Sequence, residues 1–146
     1  RRLFLQHCQN IQSDQRIHGH QGWFLFLDVD WFKQINDKLG HIAGDETLKK
    51  FAMFLKEQFE PYGAVGRVGG DEFAVMIEEE MSQEALEEEM KQFFQNISGI
   101  QKEVTVSCSI GVYRFKYPKT IKELLTKTDE ILYEAKANGR GCFVIR

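Results

Sequence analysis

Apolar residues change their period several times along this chain, and each change marks an element. Between Arg1 and Gln15, Leu3, Leu5, Cys8 and Ile11 recur at roughly helical spacing, which predicts an amphipathic helix with no capping residue at its start. A loop rich in His, Gly and Gln follows over residues 17–22. Trp23 to Val29 is a near-continuous apolar run, as expected of a central strand buried on both faces. Asp30 to Gly40 reads as an irregular polar loop. Behind Gly44-Asp45, the residues Leu48, Phe51, Ala52, Leu55 and Phe59 stand at i, i+3, i+4, i+7 and i+11. That spacing predicts a helix with Asp45 near its start and Pro61 as its stop.

Two further apolar runs, Ala64 to Val68 and Phe73 to Ile77, flank Gly69-Gly70 and read as a hairpin whose turn glycines tolerate positive φ. A helix with an acidic outer face is predicted from about Ser82 to Ile97. Val104 to Tyr113 alternates as a strand does. Thr120 with Glu123 forms a capping-box pattern after Pro118 and opens a helix that turns Ile121, Leu124, Leu125, Thr128, Ile131, Leu132 and Ala135 inward. Asn138-Gly139 ends it, and Cys142 to Ile145 is a last short strand. The order α β α β β α β α β has a hairpin at its centre, which excludes an all-parallel sheet. The class is α+β: a mixed or antiparallel sheet of about five strands covered by helices.

At 146 residues and 42% hydrophobic, the chain holds one domain with enough apolar material for a core. Its formal charge of −3 argues against a broad nucleic-acid face, while a small phosphorylated substrate remains compatible with it. No apolar run approaches the roughly 20 residues that span a bilayer, so no membrane contact is expected of this domain. Three cysteines (Cys8, Cys108, Cys142) without metal-like spacing read most simply as reduced thiols in the cytoplasm. The uncapped first helix suggests a fragment, residues 1–146, taken from a longer protein.

Candidate chemistry sits at two places. Asp28-Val29-Asp30 ends the first apolar strand, and Asp71-Glu72 follows Gly69-Gly70 at the hairpin turn. A lone Asp at a strand end commonly caps the next turn, but two acidic pairs at converging strand ends suit Mg²⁺ held against substrate phosphates. The spacing after Asp28 lacks the residues of an EF-hand loop. His7, His18 and His20 have no ligand spacing, and the glutamate runs at 78–80 and 87–89 read as solvated faces.

Residues Asp28-Val29-Asp30-Trp31-Phe32-Lys33-Gln34-Ile35-Asn36-Asp37, then Gly40-His41 and Gly44-Asp45, resemble the first signature of the GGDEF-domain diguanylate cyclases. Gly69-Gly70-Asp71-Glu72-Phe73 matches that family's name motif in full. Ser109-Ile110-Gly111-Val112 is similar to its later strand, and Asp129 with Leu132-Tyr133-Glu134-Ala135-Lys136 and Gly139-Arg140 to its last helix. The resemblance implies a nucleotidyl-cyclase-like, polymerase-palm-related fold. It also implies a reaction that condenses two GTP into cyclic di-GMP with loss of two pyrophosphates.

Carried over by position, Asp28 and Asp71 would supply metal carboxylates, Val29 its backbone carbonyl, and Glu72 a further acidic group. Two Mg²⁺ or Mn²⁺ ions per site are implied. Asp71 would also assist deprotonation of the attacking 3′-hydroxyl. Lys33, Lys136 and Arg140 would meet phosphates, although the last two also suit a helix C-terminus. Asn36 and Asp45 would read guanine, whose N1–H and N2–H₂ donors adenine lacks, and Asp45 could equally cap its helix. Phe32, His41, Gly69 and Gly70 complete the implied substrate contacts. Implied partners are a second copy of the domain and a sensor or effector domain in the full-length protein, which itself could be membrane-anchored.

Two departures from the family pattern stand out. Its Arg-x-x-Asp product site falls on Glu60 and Gly63 here, which carry neither the needed cation nor the carboxylate. Its usual lead-in segment is not seen ahead of Arg1. The rival expectation is a catalytically silent GTP-binding module that regulates an attached domain such as a cyclic di-GMP phosphodiesterase. The retained Asp28, Asp71 and Glu72 favour the enzyme.

Overall fold

Alternation along the central strand divides the molecule into two layers. In the computed structural model, which describes residues 1–146, β1 (Gln21–Val29) sends Trp23, Leu25, Leu27 and Val29 into one core and Phe24 and Phe26 into the other. Around it lie β2 (Gly63–Arg67), β3 (Glu72–Ile77), β4 (Cys108–Lys116) and β5 (Phe143–Ile145), in the sheet order β2-β3-β1-β4-β5. Neighbours are antiparallel except β4 and β5, so the sheet is mixed. A strand flanked on both sides and buried on both faces has no polar alternation, which is why residues 23–27 are all apolar.

On the first face, α3 (His41–Phe59) and α4 (Gln83–Ile97) contribute Phe51, Leu55, Phe59, Leu86, Met90, Phe93 and Ile97. Phe51 meets Phe73 at 4.9 Å and Phe93 edge-on at 5.2 Å between ring centroids. On the second face, α1 (Arg2–Ser13) brings Phe4, Cys8 and Ile11, and α5 (Ile121–Ala137) brings Leu124 and Leu132. Each such buried side chain contributes about 1.5–3 kcal/mol. Ser82 caps α4 by accepting from Ala85 N–H at 3.2 Å, and Thr120 caps α5 by accepting from Glu123 N–H at 3.1 Å. No helix is long and apolar enough to cross a membrane.

Four expectations are corrected. The polar loop at 30–40 is largely a helix, α2 (Phe32–Leu39). Phe32, Ile35 and Leu39, at i, i+3 and i+7, form a narrow apolar stripe that packs on the first core. Helix α3 begins at His41 rather than beside Asp45, because Gly40 at φ 90° reverses the chain directly into it, and Asp45 is therefore no cap. Strand β4 runs from Cys108 to Lys116, shifted from the expected 104–113, because all its residues pair with β1 from Gln21↔Lys116 to Val29↔Cys108.

Neither Gly69 nor Gly70 takes a positive φ. The hairpin is instead closed by Val68 and Gly69 N–H donating to Glu72 O, and by Arg67 Nε donating to the Gly69 and Gly70 carbonyls at 3.0 and 2.8 Å. A Cβ at Gly69 would lie 2.3 Å from Glu72 Oε1, the movable end of that side chain, so a larger residue there would displace the Glu72 carboxylate rather than the backbone.

At Gly111 on β4 the backbone of α5 itself comes down onto the sheet. A Cβ there would lie 2.4 Å from Leu132 N and 2.6 Å from Thr128 O, both backbone atoms of α5. Gly111→Ala is therefore expected to destabilise the domain by about 2–3 kcal/mol through overpacking, read as a lower urea midpoint at unchanged slope.

Candidate active site

The candidate acidic residues gather at the end of β1 because its antiparallel neighbours β3 and β4 both begin there. Asp28 stands opposite Glu72 on β3 and Ser109 on β4. The turn before β3 folds Asp71 over the strand end, where its carbonyl accepts from Val29 N–H at 3.2 Å. Asp28 is only 8% exposed. Its Oδ2 accepts from Lys136 Nζ in the last turn of α5, while its Oδ1 is buried with no partner. Burial, together with the nearby Asp71 carboxyl, outweighs the Lys136 contact and pushes the Asp28 carboxyl up to about 6. Glu72 is raised as well, by burial and then by the charge of Asp28. Two carboxyl groups close together in a poorly solvated strand end resist ionising together.

Asp30, two residues on and on the same α5 side, makes different contacts. Its Oδ2 accepts from Ser107 Oγ at 2.7 Å and Gly141 N–H at 2.8 Å, and its Oδ1 from Ser109 Oγ at 2.6 Å. Arg140 Nη1 lies 3.9 Å from Asp30 Oδ1, and its guanidinium carbon stands 4.3 Å from the centroid of the Trp31 ring. With both oxygens engaged, Asp30 anchors the start of β4 and the loop after α5. Its partners lie 77 to 111 residues away in the chain, so only the fold reveals it.

The remaining candidates fall on the α2–α3 pair and the hairpin. Lys33 is exposed in the first turn of α2 and Phe32 is half-buried against the first core. Asn36 points its Oδ1 into a buried position without a partner, against Gly44, where a Cβ would lie 1.7 Å away. Asp45 and His41 are exposed on α3 beside it. Gly69 is half-buried and Gly70 exposed at the hairpin tip. The structure thus gathers Asp28, Asp71, Glu72 and Lys136 in one group, Arg140 next to it through Asp30, and Asn36, His41 and Asp45 on a separate helix pair. Two residues had no role assigned from the sequence: Arg67, which holds the turn carbonyls, and Trp31, which lies against Arg140.

No three acidic, histidine or cysteine side chains converge as a ready-made metal cage. A Mg²⁺-type ion needs less, because it keeps waters and is held by one or two carboxylates plus substrate phosphates. The unpartnered Asp28 Oδ1 beside Asp71 fits such a donor set.

Residues 1–142 match the family model described as diguanylate cyclase, GGDEF domain. The diguanylate cyclase DgcS of Shewanella oneidensis is 34% identical over 144 residues, 98% of this chain and 48% of that protein. Among solved structures, the active GGEEF domain of a diguanylate cyclase from Vibrio cholerae superposes with a TM-score of 0.85 at 26% identity, covering 99% of this chain and 95% of that one. The diguanylate cyclase SiaD of Pseudomonas aeruginosa, solved with its activator SiaC, gives 0.87 at 26% identity over 100% of this chain and 58% of that one. The chain spans 20% to 48% of the length of curated relatives it matches.

Raising a carboxyl pKa on folding means the folded state binds the proton more tightly, so Asp28 favours folding at low pH and progressively less as pH rises through about 6. In metal-free buffer, Asp28→Asn should therefore be more stable than the parent above pH 6, by about 2 kcal/mol, with the difference gone near pH 4. Urea denaturation at a series of pH values measures this. A constant offset across the range would contradict the raised pKa.

Proposed function

The chain belongs to the GGDEF-domain family of diguanylate cyclases, and from that premise we propose that it condenses two GTP into cyclic di-GMP, releasing two pyrophosphates. The observation that carries this reading is the Asp28–Asp71 carboxyl pair at the end of the central strand, with Lys136 and Arg140 brought to it by the end of α5. Asp28 and Asp71, with the Val29 carbonyl, would hold divalent Mg²⁺ or Mn²⁺, two ions per site. Those ions supply charge neutralisation on the triphosphate and a lowered pKa for the attacking 3′-hydroxyl.

The chain's own groups do the rest. Asp71 takes the proton of the 3′-hydroxyl, and Glu72 adds negative charge at the same strand end. Lys33, Lys136 and Arg140 bind the phosphates and stabilise charge on the leaving pyrophosphate, so that catalysis rests on positioning and electrostatics. Asn36 and Asp45 accept from guanine N1–H and N2–H₂ in a pocket that Phe32, His41 and the Gly69-Gly70 backbone help to shape. The unpartnered Asn36 Oδ1 supports this, because a buried acceptor left without a donor is costly. One site holds one GTP and the product joins two, so two domains face each other as a C₂ pair. An input or output domain in the full-length protein would control that pairing.

Product inhibition through the family's Arg-x-x-Asp site is not expected. Glu60 and Gly63 occupy those positions in and after a one-turn 3₁₀ helix (Glu60–Tyr62), and a Cβ at Gly63 would lie 1.9 Å from Met76 O. No carboxylate fits there. In a dimerised, active preparation, added cyclic di-GMP should therefore give competitive inhibition alone. Non-competitive inhibition that Glu60→Ala abolishes would contradict this.

The direct test is incubation of full-length protein with GTP and Mg²⁺, followed by detection of cyclic di-GMP. Asp71→Ala should lower product formation by about a hundred-fold or more, in line with loss of a general base, and leave the thermal midpoint within about 2 °C. Product formation near the parent level in that variant would remove the assignment.

A further inference from the structure

Only two non-glycine residues of the chain have positive φ, Trp31 at 57° and Arg140 at 65°. They are the same two residues that stack on each other, guanidinium carbon to ring centroid 4.3 Å. They come from opposite ends of the chain, one from the turn after β1 and the other from the loop after α5. Left-handed backbone disfavours any residue with a Cβ, and a bulky aromatic more than most.

Local structure gives Trp31 no reason to be tryptophan. It sits at the N-cap of α2, where Ser, Thr, Asp or Asn would be preferred, and its side chain caps nothing. Its ring is not core material either, since the residue is 56% exposed. A position that breaks the backbone, capping and burial preferences together is one whose side chain is kept for a site. What that side chain meets is Arg140.

We propose that Trp31 is a positioning residue that, with Asp30, holds Arg140 in the orientation that receives the GTP triphosphate. The idea rests on the role given to Arg140 above. Asp30 is already anchored by Ser107, Ser109 and the Gly141 N–H, so it cannot turn to follow the guanidinium, 3.9 Å away. Trp31 supplies an aromatic face under the same guanidinium, 4.3 Å from its carbon. A guanidinium stacked on an indole keeps its N–H edge free, because the stack uses the face and not the donors. Arg140 therefore presents donors to phosphate oxygens without first losing side-chain freedom, and preorganisation of this kind appears as tighter binding.

The test uses the full chain with Mg²⁺ and 3′-deoxy-GTP, which lacks the attacking hydroxyl, compared with GMP, which lacks the outer phosphates. Calorimetry should show Trp31→Ala weakening 3′-deoxy-GTP about three- to five-fold, the size of a cation–π contact at a partly exposed site, with GMP unchanged. Trp31→Phe should restore most of the loss. Trp31→Gly separates positioning from folding: glycine relieves the left-handed backbone, so the thermal midpoint should hold or rise while triphosphate affinity falls as in Trp31→Ala. In an Arg140→Gln background, Trp31→Ala should cause no further loss.

Equal weakening of both nucleotides, additivity with Arg140→Gln, or full affinity in Trp31→Gly would each overturn the proposal. A parent protein that binds 3′-deoxy-GTP no better than GMP would remove the triphosphate reading itself, and this proposal with it.

Discussion

A slip of β1 by one residue against either neighbour would exchange Phe24, Phe26 and Asp28 for Leu25, Leu27 and Val29 on the α5 side of the sheet. Both cores forbid it, because the two sets of side chains fill layers of different shape. That register is what everything at the site hangs on. It places Asp28 opposite Glu72 and Ser109, directs Asp28 and Asp30 toward the end of α5, and lets the hairpin turn fold Asp71 onto the strand end. The apolar run that makes β1 a good central strand thus also fixes the direction of its terminal carboxylates.

Such a position is electrostatically unfavourable in the isolated domain. Asp28 is nearly buried, feels a second carboxyl nearby and leaves one oxygen unpaired, and Lys136 compensates only in part. The neighbouring Asp30 has the opposite design, with four surrounding groups and no unmet acceptor. The two side chains are two residues apart and both buried, yet one has both oxygens engaged and the other leaves an oxygen without a partner. Only the arrangement of their partners distinguishes them. An under-satisfied carboxylate beside a fully satisfied one is the pattern expected where binding of cation and phosphate supplies what folding does not.

Much of this was legible in the residues, for identifiable reasons. β1, the hairpin, α4 and α5 carry either unbroken apolar runs or long helical periods with Ser82 and Thr120 as caps, signals that survive without tertiary information. Helix α2 was not legible: it has eight residues, a three-residue apolar stripe and a left-handed tryptophan where a cap would stand. The start of β4 was misplaced because Val104 and Val106 continue the alternation, while pairing with β1 begins only at Cys108. The acidic pairs were legible as neighbours because each stands at the end of a recognisable apolar run, and the register of β1 with β3 brings Asp28 opposite Glu72. The anchoring role of Asp30 could not be read, because its meaning lies in contacts from the far end of the chain.

Helix α5 links the core to the chemistry. Gly111 lets its backbone come down onto β4 at Thr128 and Leu132, closer than any side chain would permit. That contact sets the height of the helix over the sheet one turn before Lys136. A helix lifted by the width of a methyl group would carry Lys136 away from Asp28 and draw the Gly141 N–H away from Asp30. Glycine in a strand interior weakens the strand locally. Here it gives the close approach through which one packing contact places both cations at this end of the sheet, Lys136 directly against Asp28 and Arg140 beside Asp30 through the loop that follows.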